Sequence, residues 1–87
     1  MNDINDPAYQ HLRSKNSTTG QMMTWKETLE EMCKYYGTFC GRWHSNEFWK
    51  KTLGETSSMT EIACLEKIVQ IESEANGDLA YWRTMQS

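Results

Sequence analysis

The sequence predicts a mostly α fold, a small single-domain bundle of three to four uneven helices with a flexible N-terminal arm, on three observations. Apolar residues recur at helical spacing through the middle and later parts of the 87-residue chain. Each such stretch opens on a Ser, Thr or Asp of the kind that caps helices. The opening residues, by contrast, are polar and hold the chain's one proline, Pro7.

Residues 1–23 read as the arm and 24–87 as the helical domain. Asn, Asp, Ser, Thr, Lys and Gly dominate the arm, Pro7 is expected to break any early helix, and Asn16-Ser17-Thr18-Thr19-Gly20 is a polar loop. Within residues 1–20 only Ile4, Tyr9 and Leu12 could pack against a core. The first helix starts at Thr24, where Thr24-Trp25-Lys26-Glu27 has capping-box form. Trp25, Leu29, Met32, Cys33 and Tyr36 follow on one face, and Lys26, Glu27, Glu30, Glu31 and Lys34 on the other. The pattern continues through Phe39, Cys40 and Trp43, so a helix into the low 40s is expected with a weak point at Gly37. A short strand over residues 35–43 is the competing reading.

Ser45 or Asn46 opens a second helix of about two turns, with Gly54 placed as its C-terminal stop. Ser58-Met59-Thr60-Glu61 has capping-box form before a third helix that runs to Ala75 without Gly or Pro. Its apolar stripe (Ile62, Leu65, Ile68 and Val69, widened by Ala63, Cys64, Ile71 and Ala75) is broad enough to predict contact on more than one side, and so a central position. Asp78 can cap a last short helix carrying Leu79, Trp82 and Met85.

Composition limits function. A chain this short buries a small core, and a deep substrate cleft would compete for the same few apolar residues. Net charge is −3 and the sequence pI near 5.3, which gives no overall attraction to phosphate backbones or anionic membranes. No apolar run approaches the ~20 residues of a membrane span, and the first ten residues lack the basic start and apolar centre of a signal peptide. Cys33 and Cys40 lie seven apart, about 10.5 Å along one helix, too far for a disulfide. Buried thiols in a reducing cytoplasm are the expectation.

Tests for chemistry find no strong pattern. Cys40 and His44 would stack on one helix face, but zinc needs four converging ligands and a thiolate nucleophile needs an orienting group and an oxyanion site. The paired carboxylates Glu30 with Glu31 and Glu72 with Glu74 fall on expected solvated faces. The five glycines form no phosphate-cradling motif. No catalytic residue, metal or cofactor is therefore predicted.

One asymmetry stands out. Residues 34–51 carry Lys34, Arg42, Lys50 and Lys51 against Glu47, a local excess of positive charge in an acidic chain. The same stretch holds Tyr35, Tyr36, Phe39, Trp43, Phe48 and Trp49. Neighbouring rings diverge by about 100° on a helix, so one of each adjacent pair should remain partly exposed. Aromatic rings and Arg are the groups that anchor protein interfaces. Tyr35, Tyr36, Arg42, Trp43, Phe48, Trp49, Lys50 and Lys51 are accordingly the candidate partner-binding residues. The expected function is a non-enzymatic protein-binding module, a small regulator or inhibitor. Small, acidic, Trp-rich chains of this kind are common among accessory proteins, those of phages and mobile elements included, although no residue pattern here carries a family resemblance. Two alternatives use the same features: single-stranded nucleic-acid binding by residues 34–51, which the net charge disfavours, and mimicry of nucleic acid by the acidic face of residues 55–78. The wide stripe of the third helix could also be buried in a homodimer.

Overall fold

Helix α1 (Trp25–Tyr35) starts where the sequence places it. Thr24 is the N-cap, its side chain accepting from the Glu27 amide, while the Glu27 carboxylate accepts from the Thr24 amide at 2.9 Å. The structure is a computed structural model that describes residues 4–13, 15, 18–37 and 44–75. Within these residues the fold is mostly helical, as predicted. A 3-10 helix (Pro7–Leu12) and α1 are followed by α2 (Asn46–Glu55), a 3-10 turn (Thr56–Ser58) and α3 (Glu61–Glu74).

The core follows the predicted stripe on α1. Trp25, Leu29, Met32, Cys33 and Tyr36 are all buried, against Trp49 of α2 and Cys64, Leu65, Ile68 and Ile71 of α3. Among the described elements it is α1, not α3, that occupies the middle, packing on both α2 and α3. The breadth of the α3 stripe is only half used inward, with Ile62, Ala63 and Val69 half-buried.

Three boundaries differ from expectation, each for a local reason. The first helix ends at Tyr35 and loosens into a π-type turn at residues 36–37. Gly37 is required there by close approach, since a Cβ at this position would lie 2.9 Å from the Trp49 Cβ. Residues 38–43, the subject of the helix-or-strand alternative, lie outside the described residues, as does the predicted fourth helix from Asp78. Gly54 does not stop α2: glycine permits a left-handed turn but does not impose one, and the helix passes through it into the Thr56–Ser58 turn. That extension occupies Ser58, whose hydroxyl donates to the Glu55 carbonyl, and leaves Thr60 as the cap of α3.

Part of the N-terminal arm is packed, over residues 4–13. Pro7 sits at the start of the 3-10 helix rather than breaking it, consistent with the tolerance of a first helical turn for a residue without an amide N–H. Leu12 is fully buried, with Ile4 and Tyr9 half-buried against the same core. Residues 4–13 are thus folded onto the domain. Among the described residues no helix is long and apolar enough to cross a membrane.

Candidate interaction surface

The C-terminal end of α1 and the N-terminal half of α2 bring five rings into one continuous train. Tyr35 meets Tyr36 edge-on at 5.0 Å between centroids, Tyr36 stacks on Trp49 at 5.3 Å, Trp49 meets Phe48 edge-on at 5.3 Å, and His44 stacks on Phe48 at 3.8 Å. Ser45 caps α2 by accepting from the Phe48 amide at 3.2 Å, and so fixes where the second pair of rings begins.

Alternation along the helix divides the rings. Tyr36 and Trp49 are fully buried, whereas Tyr35 and Phe48 are half-buried, so one ring of each adjacent pair reaches the surface. Of the candidate binding residues, Tyr36 and Trp49 are therefore core, because filling the gap between α1 and α2 takes their whole ring surface. Lys50 and Lys51 are exposed and form no ion pair among the described residues. Lys34 is also exposed and sits 3.7 Å from Glu31, one turn earlier. Arg42 and Trp43 lie outside the described residues.

Several contacts were not legible in the sequence. Lys67 of α3 places its ammonium 5.1 Å from the Phe48 ring centroid, a cation–π contact that ties α3 to this edge of the train. The two histidines both face α3 carboxylates: His11 Nε2 is 3.3 Å from Glu72, and His44 Nε2 is 3.5 Å from Glu74. The second is at ion-pair distance, and His44 Nε2 makes no hydrogen bond among the described residues. Glu61 reaches across to α1, accepting from the Trp25 amide at 2.7 Å and the Lys26 amide at 2.9 Å. Such partners are separated by up to 61 residues, and no local signal announces them.

These contacts also disperse the acidic face. Glu61 caps another helix, Glu72 and Glu74 face histidines, and Glu55 and Glu66 remain as separated surface charges. Cys33 and Cys64 are buried free thiols. Burial pushes the Cys33 thiol up to about 12, opposed by the nearby Lys67 charge, and burial also raises Cys64. Neither is an activated nucleophile. Cys40, the partner considered for His44, lies outside the described residues, and among the described residues no three His, Cys, Asp or Glu side chains gather as metal ligands. Comparison with family models, curated proteins and solved structures gives no match to this chain.

Proposed function

We propose that this chain is a non-enzymatic protein-binding module, a small regulator or inhibitor. Its contact surface is the outward side of α2 together with the end of α1. The observation that supports this reading is the half-exposure of Tyr35 and Phe48 at opposite positions in a rigid ring train, beside the exposed Lys50 and Lys51. Rings already fixed by packing lose little freedom on binding, and adjacent cations set orientation and association rate for an acidic protein surface. Arg42 and Trp43 join the surface on the sequence argument alone. A reducing cytoplasm is the proposed setting, in keeping with the buried free thiols Cys33 and Cys64.

Two observations weigh against the other readings. Nucleic-acid stacking would need rings with open faces, and Tyr36 and Trp49 have none. Mimicry of a phosphate backbone would need a dense acidic row, and three of the five glutamates of residues 55–75 are engaged within the protein.

The test is affinity capture from lysate, quantified by mass spectrometry, with the wild-type chain and the double variant Lys50→Glu, Lys51→Glu. A saturable protein ligand held by the wild type and lost from the folded variant is the expected result. Equal recovery by both chains would remove the α2 surface from consideration. A tryptophan-fluorescence titration with single-stranded oligonucleotides at low salt discriminates the nucleic-acid alternative, for which a flat response is expected.

A further inference from the structure

We propose that residues 4–13 are an exchangeable strap, and that the seat they occupy accepts the same segment from a second copy of this chain. The strap is organised by its own bonds. Asp6 accepts from the Ala8 amide at 2.9 Å, and Gln10 Nε2 donates to the Asp6 and Ile4 carbonyls at 3.0 and 3.3 Å. Arg13 donates to Gln10 Oε1 through Nε and one terminal nitrogen, at 2.9 and 2.6 Å. These bonds all lie within residues 4–13 and travel with the segment when it leaves.

A second set of contacts holds the strap to the domain. Leu12 enters the core. The Trp25 indole N–H donates to the Ile4 carbonyl at 2.8 Å, and the Arg13 guanidinium lies 4.6 Å over the Trp25 ring. Arg13 also donates to the Met23 carbonyl at 3.0 Å, and His11 faces Glu72. Each contact is tertiary, made to residues ten or more positions away, so an identical strap from another molecule can supply all of them.

The connection between strap and seat decides which copy is used. Here the chain doubles back through an antiparallel bridge between Lys15 and Met22, with Gly20 at φ 74°. Drawn out, the ten residue steps from Arg13 to Met23 span about 33–36 Å. That exceeds the 29 Å largest extent of the molecule, so an opened strap reaches across to a neighbour. The closed and exchanged forms make the same seat contacts and differ in this turn, so penalising the turn favours exchange. Gly20 is the place to do so. A Cβ there meets nothing within 4 Å, and only the backbone conformation resists substitution. Proline, confined to φ near −65°, cannot adopt it.

The experiment is sedimentation velocity on the full chain, refolded at micromolar and at millimolar concentration, for the wild type and Gly20→Pro. The expected result is a dimer formed by the wild type at the higher concentration and a rise of about a hundredfold in the dimer association constant for Gly20→Pro, since each dimer relieves two disallowed residues, each worth about tenfold. Adding Leu12→Asp should abolish that dimer. Because this variant could fail to fold, benzoylphenylalanine at position 9, in an equal mixture of isotopically light and heavy chains, gives a second readout. Exchange predicts mixed-mass cross-links from residue 9 to α1 or α3. A Gly20→Pro chain that stays monomeric at every concentration overturns the proposal. So does a dimer whose position 9 cross-links only within its own chain.

Discussion

Glu61→Ala is expected to destabilise the protein far more than the loss of one partly exposed carboxylate ordinarily does. The first amides of an α-helix have no partner within the helix. In α1 these are satisfied in two ways: Glu27 N–H by the Thr24 hydroxyl at 3.1 Å, and Trp25 and Lys26 N–H by the two oxygens of Glu61 at 2.7 and 2.9 Å. Truncation removes two charge-assisted bonds and the negative charge that complements the α1 dipole. It leaves the Trp25 amide beside a fully buried indole. Net hydrogen bonds to charged groups are worth about 1.5–3 kcal/mol each, and water can replace part of this at a half-buried site, so a loss of about 2 kcal/mol is expected. Glu61 also lies in the first turn of α3, whose dipole contributes about 0.3–1 kcal/mol of that total. With a urea slope near 1 kcal/mol/M for a small domain, the unfolding midpoint should fall by about 2 M. The assay is urea denaturation followed by tryptophan fluorescence, which Trp25 and Trp49, both buried, make sensitive to packing. Glu66→Ala, at an exposed position on the same helix, is the control and should stay within about 0.5 kcal/mol of wild type. A Glu61→Ala midpoint as close to wild type as the control's would refute the cross-helix cap.

The two helix-associated glycines should respond in opposite directions to alanine. Gly37→Ala must push α1 and α2 apart to relieve a 2.9 Å contact with Trp49, a loss of about 1–3 kcal/mol, whereas Gly54→Ala, with nothing within 4 Å, should gain about 0.5–1 kcal/mol; thermal unfolding by circular dichroism reads both signs. Cys33, with its thiol raised to about 12, should resist alkylation in the native protein at pH 8 and react only as fast as the domain opens. Mass-resolved labelling of the peptide that contains it checks this, and rapid native labelling would contradict the burial.

What the sequence could settle was local. Capping at Thr24 and Ser45 depends on residues within one turn of each other, and both caps form as expected. The apolar stripe from Trp25 to Tyr36 depends only on a period, and all five of its members are buried. The split of each adjacent aromatic pair into one buried and one half-exposed ring follows from the angle between successive helical side chains. Leu12, Ile4 and Tyr9 were identifiable as the apolar residues of the N-terminal segment, although its compact docking was not. Polar composition reports how little a segment can bury by itself, and here Leu12 gains its burial from helices further along the chain.

The tertiary structure decided what the sequence signals were used for. The sequence marks Ser58, with Glu61 three residues on, as the cap of the third helix; the continuation of α2 through Gly54 into the Thr56–Ser58 turn commits Ser58, and Thr60 caps α3 instead. Glu61, placed by sequence as the capping-box partner of Ser58, instead binds the start of α1. Tyr36 and Trp49 became core rather than binding residues because α1 and α2 approach closely enough at Gly37 to close over them. Helical period and capping are set by neighbours along the chain. Which face is covered, and which carboxylate reaches which amide, is set by helix-to-helix distance, a quantity that residues tens of positions apart fix together.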